Sequence, residues 1–185
     1  METHQQVHRK RETATQRETP IITQAQLDAA AREPMGTIRG WMTDFGLLGA
    51  STGLAMSLTH LALHALPEGV SLLSFVGLAP AIIGFAAACA GAAAGLFLRT
   101  FRGKMPAVLG VLLASCGANL VGSTLTIAAG ETFPATVSVI QGQATPLSLA
   151  VLCLIPVAAV LRWRRQNTLP WMLLFGVLAG TLIGL

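Results

Sequence analysis

The sequence predicts an all-α, polytopic integral membrane protein: a helical bundle of about five transmembrane helices behind a polar N-terminal tail. Three observations predict it. Of the 185 residues 53% are hydrophobic and 11% charged, where a soluble domain carries charge on about a quarter of its residues. The charge is also segregated. Residues 1–44 hold six basic residues (Arg9, Lys10, Arg11, Arg17, Arg32, Arg39) and six acidic ones, whereas 45–185 hold six basic and two acidic. Finally, those last six basic residues form two short clusters, Arg99-Arg102-Lys104 and Arg162-Arg164-Arg165, divided by almost wholly apolar chain.

The tail comes first. Residues 1–20 are rich in Gln, Thr, Glu and Arg and have almost nothing apolar to bury, so they are expected to stay disordered. Thr23-x-x-Gln26 has capping-box spacing ahead of Leu27-Asp28-Ala29-Ala30-Ala31-Arg32. A short helix near 23–33 is expected there, ended by Pro34 and Gly36.

A span needs about 20 apolar residues, because a rise of about 1.5 Å per residue must cross about 30 Å of hydrocarbon. Five stretches are expected to cross: 45–66, 72–98, 106–129, 146–161 and 170–185. The last two are short, so each must recruit flanking residues or thin the bilayer. Val137 to Thr145 could lengthen the fourth at the cost of burying Gln141 and Gln143, and a re-entrant or interfacial segment there is the alternative.

Lys and Arg concentrate in cytoplasmic loops. With the tail inside, both basic clusters fall on the cytoplasmic side, and the loops around Glu68 and Glu131, which lack Lys and Arg, fall outside. Trp41, Trp163 and Trp171 then flank span ends at the same inner interface, where the indole ring prefers to sit. The reading is a bacterial inner membrane protein with its N-terminus cytoplasmic and its C-terminus outside. No cleavable signal is expected, since the chain stays polar until Phe45. A pI near 9.6 has a sufficient cause in the loop clusters, so nucleic acid is not an expected partner. The lipid bilayer is, together with other membrane subunits or a second copy.

Small residues mark the spans. Gly49 and Gly53, Gly91 and Gly95, Gly176 and Gly180, and Gly180 and Gly184 are each four apart, hence on one helix face where another backbone can approach. Packing within the bundle is the plain reading, and docking on another subunit the sharper one. The ridge of Gly176, Gly180 and Gly184 is the better docking candidate, because the last helix has the fewest sequence neighbours to cover it.

Gly49-x-Ser51-x-Gly53 matches the nucleophile-elbow pattern of serine hydrolases, but that elbow belongs on a strand-to-helix turn. His60 is also about 13 Å along the helix, too far for a proton transfer. His60 and His64 share a face near one end of the first span. Cys89, Cys116 and Cys153 share a depth near mid-membrane. Both sets are weak metal candidates, the cysteines for a soft ion such as Cu(I) if they face a common axis. Ordinary packing for the cysteines and an interfacial or hydrogen-bonded place for the histidines are the plainer readings. The third span is the most polar, with Ser115, Asn119, Ser123, Thr124 and Thr126.

No motif names a reaction, ligand or cofactor. The expected function is a small, non-catalytic accessory or structural subunit of a larger membrane complex, such as a secretion, conjugation or energy-transducing assembly. A small oligomeric transporter or channel, its path lined by the third span, is the alternative. A metal or redox protein comes third.

Overall fold

A computed structural model of the chain describes residues 37–101, 104–164 and 168–185, apart from the Lys104 side chain. The tail, its expected helix near 23–33, and Arg102 and Arg165 lie outside the described residues. The described residues form six helices: α1 (Ile38–Leu63), α2 (Leu72–Thr100), α3 (Lys104–Gly130), α4 (Pro134–Gly142), α5 (Ala144–Trp163) and α6 (Thr168–Gly184). Four of them (α1, α2, α3 and α5) are long and apolar enough to cross a membrane, and α6 is a shorter apolar helix of 17 residues. The fold is a helical membrane bundle.

α1 begins at Ile38 and not at Phe45, where the sequence places the first span. The Thr37 side chain caps it by accepting from the Gly40 amide at 3.1 Å, satisfying one of the amides a helix start leaves unpaired. Arg39 and Asp44 therefore sit inside a helix. α5 runs from Ala144 to Trp163, which gives the fourth span the length its apolar core lacked. It does not absorb 137–143. That stretch belongs to the separate helix α4, and Gln143 is a one-residue break between the two. Pro146 is tolerated because it lies in the first turn of α5, where no intrahelical donor is needed.

α1 is the central helix, with α2 on one side and α6 on the other. Both seams are built from glycine. A side chain at Gly49 would meet the Ile83 carbonyl and Ala87, one at Gly53 would meet Pro80, and one at Gly91 would meet Phe45. On the opposite face of α1, Cβ atoms at Gly180 and Gly184 would stand 2.8 Å from Ala55 and Thr59. The Gly176, Gly180 and Gly184 ridge is thus buried against α1 of its own chain, as the plain packing reading has it, and is not open for docking on another subunit. Sequence distance misled because helix six folds back onto helix one.

α3 packs on α2, and α5 closes the arrangement by touching α3, α2 and α6. The α1–α2 connection turns at Pro67–Val70, with the Val70 amide donating to the Pro67 carbonyl at 3.2 Å. Gly69 there takes φ +84°, a region open to glycine at no steric cost. The core divides into two clusters. One, at the start of α1, gathers Trp41, Phe45, Leu98, Ala158 and Met172. The other, towards the end of α1, gathers Met56, Phe75, Ala79, Ile140 and Ile183. Outside them runs a continuous set of exposed large apolar side chains such as Leu73, Phe85, Leu113, Leu120 and Leu182. So much exposed hydrocarbon is stable only against lipid or another apolar surface.

Candidate functional site

Three places in the bundle combine polar chemistry with a defined shape. The first lies at the end where α1 begins. Asp44 is buried, and Arg162 of α5 donates to its Oδ2. Thr168, first residue of α6, donates to the same oxygen at 2.8 Å. The Arg162 guanidinium also lies 6.0 Å from the Trp41 ring centroid, within the range of a cation–π contact. Gly40 leaves the space, since a Cβ there would run into the guanidinium. One carboxylate thereby joins three helices.

This changes what is expected of two residues and adds a role to a third. Asp44 reads in sequence as the last residue of a polar tail, yet it is part of the bundle. Arg162 reads as a loop charge that sets topology, and beside that reading it is the ion-pair partner of Asp44. Trp41 reads as an interfacial anchor, yet it is completely buried, with its ring over Gly95 at distances that exclude any side chain there. Trp163 and Trp171 are exposed near the same end, as interfacial residues are. Arg99 and Arg164 are exposed as well.

The second place is a cavity of about 240 Å3 between the two core clusters, enclosed by α1, α2, α3, α4 and α5. It exists because the facing residues of α2 and α3 are small. Gly122 comes no closer to Ala86 than 3.6 Å when given a Cβ, unlike the tight seams around α1. One wall is apolar and made of Ile82, Ile83, Ala86 and Ala87 from α2. The other carries Asn119 and Ser123 of α3, Gln141 of α4 and Ser148 of α5. The floor residues Leu48, Ala118 and Ile155 are buried, whereas Ser123, Ile127, Gln141 and Ala144 are exposed. The cavity therefore opens at the end of the bundle away from Asp44.

The third place is the far end of α1. The rings of His60 and His64 are 4.8 Å apart, with His60 also 5.6 Å from Phe75. His60 Nδ1 is buried with no hydrogen-bond partner among the described residues, and His64 is exposed. Among the described residues no three His, Cys, Asp or Glu side chains come together as a metal site would need.

The cysteines do not converge. Cys116 and Cys153 are exposed on the bundle's outside and Cys89 is half-buried. They share a depth without sharing an axis, because depth follows from sequence position whereas direction depends on how each helix is rotated. Ser51 donates to the Leu48 carbonyl at 2.9 Å as an ordinary helical hydroxyl and packs on Gly176. Ser115 is likewise buried and donates to Val111. Asn119, Ser123 and Thr126 of the polar third span do meet at one feature, the cavity.

No protein-family model matches the chain, and neither a curated protein nor a solved structure matches it at a significant level.

Proposed function

We propose that the chain is a small non-catalytic subunit of a larger membrane assembly, placed in a bacterial inner membrane with its N-terminus cytoplasmic. The observation that carries this is Gly117. Many of the chain's helical glycines have close neighbours: Gly49, Gly53, Gly91, Gly95 and Gly180 each have an atom of another helix where a side chain would stand, whereas Gly77, in the second turn of α2, has none within 4 Å. Gly117, in the middle of α3, has nothing within 4 Å. A mid-helix glycine costs about 1 kcal/mol relative to alanine, and here no contact inside the chain offsets it.

The same outward face of α3 carries Cys116, Leu120 and Thr124, all exposed. Small residues and hydroxyls favour helix association in lipid, where the hydrophobic effect gives no drive. A partner helix laid on this face would meet Gly117 as α2 meets Gly49. Purification in mild detergent tests the reading. The parent should migrate with partner subunits, and Gly117→Leu should release them while the monomer stays folded. An unchanged complex, or none in the parent, would count against it.

A small oligomeric transporter or channel is the second reading, favoured by the cavity that opens at one end of the bundle and is floored by buried side chains.

A further inference from the structure

We propose that the cavity between the two core clusters binds a small uncharged amphiphile: a hydrocarbon body carrying one alcohol, ketone or amide group. This goes beyond the subunit reading and does not depend on it.

The first argument is the absence of charge. None of the residues lining the cavity is Asp, Glu, Lys, Arg or His. An ion entering it would lose its hydration without gaining a countercharge, a cost of several kcal/mol at least. The occupant must be neutral.

The second argument is the asymmetry of the walls. Ile82, Ile83, Ala86 and Ala87 offer only carbon, which suits a hydrocarbon body. The facing wall places Asn119, Ser123, Gln141 and Ser148 around the same space. Two other hydroxyls there, Thr52 and Thr126, already donate to the Leu48 and Gly122 carbonyls of their own helices, each at 2.8 Å. Asn119, Ser123, Gln141 and Ser148 make no hydrogen bond to any described residue of the chain. Asn119 is about 16 Å by helical rise from the end of α3, well within hydrocarbon depth. The carboxamide there must find its partner in whatever fills the cavity, since lipid offers neither donor nor acceptor. A ligand bearing one group that both donates and accepts supplies what the chain leaves out.

Size and access set the remaining limits. A dry cavity of about 150 Å3 accommodates benzene, so about 240 Å3 takes a larger body, though not a whole phospholipid. The exposed rim at Ser123, Ile127, Gln141 and Ala144 lets the ligand enter at the end away from Asp44. The carboxamide of Gln141 stands at this mouth and that of Asn119 lies deeper, so the polar group is held on the α3 side while the body lies on α2.

The probe is a ten-carbon primary alcohol bearing a diazirine, photolysed with the full chain in phosphatidylcholine nanodiscs and mapped by peptide. The expected label falls on α3 around 118–127 and on α5 around 147–155, and it is competed by 1-decanol but not by decane. Asn119→Leu and Gln141→Leu, made separately, should each lower it about threefold to tenfold, the equivalent of one neutral hydrogen bond. Label on Leu109 and Leu113, exposed on the same helix and not part of the cavity lining, should not change. Gln141→Leu lies on a different element at an exposed position, so it still reports if Asn119→Leu fails to insert. Three results would overturn the proposal. They are cavity labelling no stronger than at Leu109 and Leu113, equal competition by decane, which would mean an acyl chain of the bilayer is the occupant, and labelling that ignores both substitutions.

Discussion

Arg162, in the last turn of α5, donates to the carboxylate of Asp44, in the second turn of α1, across 118 positions of sequence. With Thr168 on the same oxygen, the pair ties α1, α5 and α6 at one end of the bundle. Removing one member of such a pair leaves the other charge with too little water to compensate. Asp44→Asn and Arg162→Gln are each expected to destabilise the bundle by about 2 kcal/mol, less than a fully buried pair would lose because Arg162 is partly exposed. The double variant should cost clearly less than the sum, with a coupling of about 1 kcal/mol or more. Equilibrium unfolding in mixed micelles measures this, and additive losses would mean that the pair contributes nothing.

The glycine seams predict a contrast in the same assay. Gly180→Leu must displace Ala55 or the α1 backbone, whose Met56 amide lies 2.9 Å from the Cβ position. A loss of about 2 kcal/mol or more is expected. Gly117→Ala meets nothing and removes a poor helix former, so the isolated chain should be unchanged or gain up to about 1 kcal/mol. Equal effects at the two positions would contradict the packing described here.

For the cysteines, exposure makes the expectation specific. In a short-chain detergent that lets water reach the outside of the bundle, a maleimide should modify Cys116 and Cys153 faster than Cys89, following their exposure, whereas in the bilayer all three should react slowly because the thiolate is the nucleophile. Replacing all three by alanine should leave bound metal unchanged. Stoichiometric copper in the parent and none in the triple variant would instead require the three helices to rotate toward one another.

Much of the fold was legible because it is written in local composition. Apolar length marks α2, α3 and most of α1, and paired glycines mark close helix contact. Which helix a glycine face meets is not local: Gly180 finds Ala55 through a chain reversal that no spacing encodes. Asp44 shows the converse problem. A charge beside an apolar run ends a span on any hydropathy scale, and only its partner, 118 residues away, makes a buried position tolerable. Trp41 was misplaced for the same reason, its pocket being made by Gly91 and Gly95 of the next helix. The cavity was half legible, since the polar third span pointed to Asn119, Ser123 and Thr126, whereas Gln141 and Ser148 join them only after α4 breaks from α5.

Orientation is tested by reporter fusions. Fusions after Lys104 and after Arg164 should report the cytoplasm, and fusions near Glu131 and at Leu185 the opposite side, following the placement of Lys and Arg. A cytoplasmic Leu185 would require that α6 or another of the apolar helices does not cross.

The central claim, that the chain joins other membrane subunits through the outward face of α3, is tested most directly by photocrosslinking in native membranes. A photoreactive phenylalanine derivative replaces Leu120 on α3 in one variant and Leu182 on α6 in another, two positions matched in exposure at 71% and 72%. The account predicts a crosslink to a protein of discrete mass from position 120, lost when Gly117→Leu is added, and only lipid adducts from position 182. Lipid adducts alone at both positions, or the same protein captured equally from both, would contradict it.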